Sequence, residues 1–484
     1  MTPLTRSRNR ARFFGAGGAG GTWLTTGPTL DLAFAGVPLD LNNPNGDSID
    51  LEFIPQNYQV ATQYSIREPG MALVSKNFSD IITFTRASSA TYFDATGTLQ
   101  TAATDQPRFD YDPSTLAARG LLIEEARTNL QTYSAEFGTA SGLAYGLTQA
   151  NGTVTLNDAV APDGTTTATS WIEDLTTSGR YISSVNFTPS LNTYYTVSVF
   201  VKIASGSRYF GILFPTGAGW AGATQPAAVF ELSGSGTVTF TSGSPGFISA
   251  SIQPVGNGWY RCATTALSDP TSTTAARIQL RLSNSSTSVA PNYAGDGTSG
   301  LYLWGAQLEA GAFPTSYIPT VASTVTRAVD VAQVNTVSPW YNAAEGTLCA
   351  EVMLPSLPTT GTFPNFVSIN DGGPNEVLAL GSNGVADRQV VVRAGGAPLW
   401  GTNAGGALTV NVASKWALGA KSGDYGSAYD GVAGSTSSAV GFPTGITQMQ
   451  LGRRGLSNQS TLWLRRVTYY PRRLSNAELQ AITA

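Results

Sequence analysis

Histidine is absent from all 484 residues. Without imidazole there is no Ser-His-Asp triad, no His-activated cysteine, no histidine metal ligand and no histidine pH switch. Sulfur is nearly as scarce. Cys262 and Cys349 are the 2 cysteines and form no C-x-x-C motif, which excludes a cysteine zinc site and a dithiol redox centre. Two buried thiols are the plain reading, and whether they pair is open from sequence. Charge is thin: Asp, Glu, Lys and Arg make up 12% of the chain, against the usual ~25%, with a net charge of −4. Such a chain is not a charge-driven disordered polymer, and it lacks the basic surface that neutralises phosphates, so nucleic acid is not an expected partner. No apolar run is long enough to span a bilayer as a helix, so no membrane insertion is expected. The basic start is followed by glycine rather than an apolar stretch, so the expectation is synthesis in a cytoplasm without a secretory leader.

What the sequence does have is glycine (53 residues), many Ser and Thr, and 42% hydrophobic residues with 10% aromatics. At roughly 150 residues per domain, the length suggests about three domains. From 131 to about 320, segments such as YYTVSVFVKI (194–203), RYFGILF (208–214), AAVFEL (227–232), GWYRCATTAL (258–267) and ARIQLRL (276–282) alternate apolar and polar residues between Gly, Asn, Ser and Pro turns. That is the pattern of a two-sheet sandwich. From about Gly346 a second set follows, including TLCAEVML, RQVVVRAG, KWALGAKSG and TLWLRRVTYY. Ser475 followed by Glu478 makes a capping box, so a short last helix is expected with Ala477, Leu479 and Ile482 on its apolar side. The expected fold is all-β: an irregular N-terminal arm, two β-sandwich (jelly-roll) domains and one short C-terminal helix. No fixed period suggests a β-helix.

The first 80 residues differ in character. Arg6, Arg8, Arg10 and Arg12 alternate with small or polar residues, and glycines crowd positions 15–21. A Gly-rich arm has no core of its own, so it is either a solvated tail or an anchor docked on another subunit; the second is the expectation. Charge concentrates in 81–130, with Arg86, Asp94, Asp105, Arg108, Asp110, Asp112, Arg119, Glu124, Glu125 and Arg127. In so uncharged a chain this density predicts Arg–carboxylate pairs that fix chain geometry.

FTRASSATY (84–92), PRFDYDP (107–113) and GLLIEEARTNL (120–130), followed by LYLWGAQLEAGAFPTSYIPT (301–320) and TRAVD (326–330), resemble segments recurrent in tail-fibre and head-spike proteins of tailed bacteriophages. The final block, ending in WLRRVTYYP and then RRLSNAEL, resembles a concanavalin-like, laminin-G-like lectin domain. The resemblance implies a virion subunit, carried on a phage tail or capsid and made in a bacterial cytoplasm, that adsorbs to host surface polysaccharide or lipopolysaccharide without catalysis. It implies a homotrimer, with Arg6, Arg8, Arg10, Arg12, Phe13, Phe14 and Trp23 contacting other virion proteins. The implied layout is a virion-anchoring arm at 1–80, a fibre connector at 81–130, a carbohydrate-binding-module-like jelly roll at 131–325 and a lectin sandwich at 326–484. A surface-polysaccharide depolymerase and a purely structural decoration protein are the alternatives.

Trp220, Trp400, Tyr425 and Tyr429 lie in what read as Gly-rich loops, which makes them candidate exposed platforms for sugar. Trp171, Trp259 and Trp304 sit in strand patterns and read as core. Glu124 and Glu125 are adjacent, so on a strand they face opposite ways and make a poor glycosidase pair. No phosphate loop or EF-hand motif is present. No cofactor is expected, with Ca2+ at Asp424 or Asp430 the one option kept open by analogy with lectins. The Arg pairs 453–454, 465–466 and 472–473 read as solvated or salt-bridged, with an acidic glycan as the sharper alternative.

Overall fold

The structure, a computed structural model, describes residues 29–33, 64–67, 74–138, 145–146, 151–184, 186–215, 219–337, 340–358, 364–384, 387–455 and 459–484. The candidate anchor residues Arg6, Arg8, Arg10, Arg12, Phe13, Phe14 and Trp23 lie outside them. The architecture is all-β, as the alternation predicts, and is built from antiparallel sheets packed in pairs. Among the described residues no helix is long and apolar enough to cross a membrane.

The first sandwich has two six-stranded sheets. Its central strand, Tyr194–Ser205, lies between Gly300–Ala310 and Tyr260–Leu267. Val197, Val199 and Val201 point between the sheets and are fully buried with Phe210, Ile212, Phe230 and Leu280 of the facing sheet. The period of two turns Phe200 the other way. It is buried too, against Trp304 and Tyr317 at ring distances of 5.5 and 6.1 Å. The hairpin formed by Ala90–Phe93 and Leu99–Ala102 covers that outer face, adding Leu99 and Phe93 to the cluster. Trp171, Trp259 and Trp304 are core residues, as their strand context implies.

The second sandwich faces a ten-stranded sheet against a seven-stranded one. Its strands come from three parts of the chain. Leu462–Tyr470 pairs with Glu345–Met353 and, on its other edge, with both Thr29–Ala33 and Ala118–Ile123. Thr83–Thr85 closes the edge of the seven-stranded sheet beside Val331–Val334. The 81–130 segment therefore does more than connect: Phe84, Leu121 and Ile123 lie in the same core as Trp340, Trp416 and Leu464. The first sandwich is an insertion in the second, leaving after Ile123 and returning at Val331. The two crossings pair with each other as Arg127–Asn129 against Val325–Arg327.

The capping box forms as the sequence indicates, and helix Asn476–Thr483 buries Leu479 against Ala417 and Ala428. A second, one-turn helix at Phe78–Ile81, which the sequence pattern does not announce, is capped by Asn77 and Asp80. Cys262 is buried in the first core and Cys349 stands in the second sandwich, so the two are not joined. Replacing Trp304 with Ala should cost about 3–5 kcal/mol of stability, because its ring fills the layer between sheet and hairpin; urea unfolding measures this.

Candidate functional site

At the crossings, residues from 84–92, 107–113, 120–130, 301–320 and 326–330 meet in one cluster withdrawn from water. Arg108 Nη1 is 2.7 Å from Glu124 Oε2, and its Nη2 is 2.5 Å from Asp330 Oδ2. Arg86 reaches the other Asp330 oxygen at 3.1 Å, and Arg327 reaches Glu124 Oε2 at 3.0 Å. Ser316 closes the remaining side, donating its N–H to Glu124 Oε1 at 2.8 Å and its hydroxyl to Oε2 at 2.6 Å. Three guanidiniums thus face two carboxylates. Burial pushes the Glu124 carboxyl up, but Arg327, Arg108 and Ser316 overcome it and hold the pKa at about 2 against an ordinary 4.5. Burial likewise opposes the charge on Arg108, yet Asp330 and Glu124 raise its pKa above the usual arginine value. The predicted Arg–carboxylate pairing of 81–130 is therefore present, and its partners extend to residues more than 200 positions away.

Next to this cluster, joined to it where Gln459 donates to the Asp330 carbonyl at 3.3 Å and Arg327 donates to the Glu125 carbonyl, lies a cleft between the sandwiches of about 230 Å³. Glu125, Arg127, Tyr194 and Phe313 form one wall; Leu354, Leu357, Phe366 and Gln459 form the other. Arg127 Nη2 meets Glu125 Oε1 at 2.5 Å, and its guanidinium lies 5.3 Å from the centre of the Phe313 ring. Arg127 also donates to the Ala310 carbonyl, and the Gly311 N–H donates to the Tyr194 carbonyl at 2.7 Å. Tyr194 is 39% exposed, more than any other aromatic among the residues whose side chains the structure describes. Glu125 is the one carboxylate among the residues that line the cleft.

The candidate platforms lie elsewhere, and three of the four are not platforms. Trp220 is 6% exposed and plugs the end of the first core, its ring 4.7 Å from Phe214 and 5.9 Å from Phe187. Gly219 and Gly222, both at positive φ, turn the loop inward there. Trp400 belongs to a strand, Ala397–Ala407, because Gly395 and Gly396 make a tight turn rather than a long loop; its ring packs on Tyr425 at 5.9 Å. Tyr425 is fully buried and donates its hydroxyl to the Gly441 carbonyl. Tyr429 is half-buried under the guanidinium of Arg388, 4.8 Å from its ring centre. Asp430 pairs with that same Arg388 at 2.5 Å, and Asp424 with Arg473 at 3.0 Å. Each candidate calcium carboxylate thus already has a guanidinium beside it. Among the described residues no three Asp, Glu, Cys or His side chains gather where an ion could sit.

Tyr194 escaped the sequence reading, although a signal existed. It opens YYTVSVFVKI, and with Tyr195 turned to the core the period of two sends Tyr194 outward.

No family model matches the chain, and no curated protein matches it. Among solved structures, it is similar over part of its length to the Ruminococcus gnavus IT-sialidase CBM40 bound to α2,3-sialyllactose. The identity there is 18%, with 30% of this chain and 84% of that one covered, and the TM-score is 0.26. Domain 4 of AbnA, an extracellular GH43 arabinanase from Geobacillus stearothermophilus in complex with arabinotriose, gives 10% identity, 36% and 82% coverage and a TM-score of 0.27. A SAP-like pentraxin from Limulus polyphemus gives 9% identity, 29% and 70% coverage and a TM-score of 0.24. These are partial likenesses to carbohydrate-binding-module and lectin-like structures.

The depressed Glu124 pKa fixes a pH dependence. A carboxyl lowered on folding stabilises the protein above its unfolded value, near 4.5, and the contribution is lost as pH falls towards about 2. It amounts to roughly 3 kcal/mol. Glu124→Gln, which strands Arg108 and Arg327, should cost about 3–5 kcal/mol at neutral pH. In urea unfolding, the gap between wild type and variant should narrow through that acid window.

Proposed function

We propose that this chain is a non-catalytic glycan-binding subunit of a bacteriophage adsorption appendage, a tail fibre, tail spike or head spike, and that it holds host surface polysaccharide in the cleft between its sandwiches. The observation that carries the reading is Tyr194: in a molecule whose other described aromatic rings are buried or half-buried, this one stands open on the wall of a cleft. An exposed ring supplies an apolar surface for the C–H face of a sugar, and the Arg127–Glu125 pair beside it supplies donors and acceptors for hydroxyls. A cleft of about 230 Å³ is smaller than the roughly 300–1,000 Å³ of sites that enclose a ligand, which suits gripping one unit of a long chain. A glycosidase places two carboxylates across the bond, and Glu125 has no second carboxylate facing it among the cleft residues, which favours adhesion over hydrolysis.

The virion assignment is supported by the segments that resemble phage fibre proteins, whose charged residues build the buried cluster next to the cleft. A single shallow site binds weakly. Assembly as a homotrimer, anchored through residues ahead of the first strand, multiplies such sites through effective concentration.

The full-length protein is expected to be retained on host cells and on their purified polysaccharide, leaving chain length unchanged. Tyr194→Ala should weaken retention about tenfold, the equivalent of about 1.4 kcal/mol, with an unaltered urea midpoint. Shortening of the glycan would identify a depolymerase instead, and absence of retention on every strain would leave a structural role. Deleting residues 1–28 should stop incorporation into particles while leaving the urea midpoint in place.

A further inference from the structure

The charges of the cleft cancel within the protein. Arg127 and Glu125 are the charged residues among those that line it, and they meet each other at 2.5 Å. The guanidinium is held back. It also donates to the Ala310 carbonyl, lies against the Phe313 ring, and passes so close to Gly311 that a Cβ there would collide with it. The Arg127 side chain is 14% exposed, against 37% for Glu125. A ligand therefore meets the carboxylate more fully than the guanidinium, and an acidic sugar finds repulsion where it needs a free counter-charge.

The wall across from Tyr194 is largely apolar, with Leu354, Leu357, Pro358, Pro364 and Phe366 along it. Its loop is tied at Leu354, which bridges to Val410 and accepts the Asn411 N–H at 2.8 Å. Leu354 is buried, whereas Leu357 is 40% exposed. Most polar side chains of this wall are engaged inside the protein. Gln459 donates to the Asp330 and Ser460 carbonyls, and Ser460 donates to the Asn365 carbonyl. Thr461 Oγ1 accepts the Glu125 N–H, which leaves the Ser356 hydroxyl.

A single exposed leucine calls for no explanation. An exposed leucine and an exposed tyrosine lining one cleft do, because a ligand that covers both must be apolar on two sides. A plain hexose gives a C–H face to the tyrosine but sets hydroxyls against Leu357 and its prolines, where they lose water and gain no partner. A methyl group on the sugar removes that cost and covers the leucine.

We propose that the cleft is specific for an uncharged sugar unit bearing a methyl group, as a 6-deoxy or N-acetyl substituent, which packs on Leu357 while Tyr194 takes the ring. The inference rests on the glycan-binding reading above and narrows its ligand.

The test is saturation-transfer NMR of the full chain with two pairs of probes. Methyl L-rhamnoside and methyl L-mannoside differ by the 6-hydroxyl; N-acetylglucosamine and N-formylglucosamine differ by one methyl. The methyl-bearing sugar of at least one pair should bind about fourfold more tightly than its partner, with saturation strongest on that substituent. Which pair shows the preference distinguishes a 6-deoxy ligand from an N-acetyl one. Methyl glucuronide, which is acidic, should bind more weakly than methyl glucoside. Leu357→Ser should bring the preference close to one and Leu357→Met should keep it, both with unaltered melting curves. Val440→Ser, at a side chain 84% exposed and outside the cleft, should leave it unchanged. No binding of any probe, equal binding within both pairs, a preference that survives Leu357→Ser, or tighter binding of the glucuronide overturns the inference. In each of those cases the cleft reading stands if Tyr194→Ala still weakens retention on host polysaccharide. Loss of retention on every strain overturns that reading as well.

Discussion

Arg108 stands between Glu124 and Asp330, with Arg86 and Arg327 completing a cluster that water does not reach, and the two sandwiches are fixed to one another through it. Burying five charged groups is not in itself stabilising, since desolvation offsets much of the attraction. What the cluster contributes is geometry. Each carboxylate oxygen has its donors, including the Ser316 N–H and hydroxyl and the Glu124 N–H. A shift of either crossing strand would leave a charge unpaired in a dry interior, so one arrangement of the sandwiches is favoured over its neighbours. The cleft and its open tyrosine inherit their shape from that arrangement.

The nesting of one sandwich inside another follows from the same cluster. The chain leaves the second sandwich and returns beside its point of departure, where Arg127–Asn129 pairs with Val325–Arg327. Asn129 stitches the crossing to the first sandwich, donating to the Ala306 and Ile318 carbonyls and accepting from the Leu308 N–H. Segments far apart in sequence that read as separate landmarks are therefore parts of one joint. Of their charged residues, Arg86, Arg108, Glu124, Arg327 and Asp330 serve the framework, while Glu125 and Arg127 turn to the cleft beside Tyr194.

Much of the fold was legible because strands declare themselves by period. YYTVSVFVKI alternates and forms the central strand of the first sandwich, and Ser475 with Glu478 announces the last helix. The charge density of 81–130 pointed correctly to Arg–carboxylate pairing, but sequence alone did not reveal that the partners lay at Arg327 and Asp330 or that Thr83–Thr85 and Ala118–Ile123 would complete the other sandwich. Edge strands of three to six residues carry too little pattern to name their neighbours. The aromatic platforms misled for a local reason. Glycine in sequence reads as a mark of exposed loops, whereas Gly395 and Gly396 make a hairpin turn that places Trp400 on a strand, and Gly219 and Gly222 turn Trp220 into the core. Whether an arginine has found a carboxylate depends on tertiary placement, so sequence alone did not show that Arg465, Arg472 and Arg473 pair with Glu351, Glu478 and Asp424.

If the buried cluster makes one body of the two sandwiches, they should lose structure together. Differential scanning calorimetry of the full chain at neutral pH is the direct test. A single transition, with the calorimetric enthalpy equal to the van't Hoff value, is the predicted result. Two transitions at neutral pH, each matching one sandwich, would show that the joint does not couple them and would contradict the account.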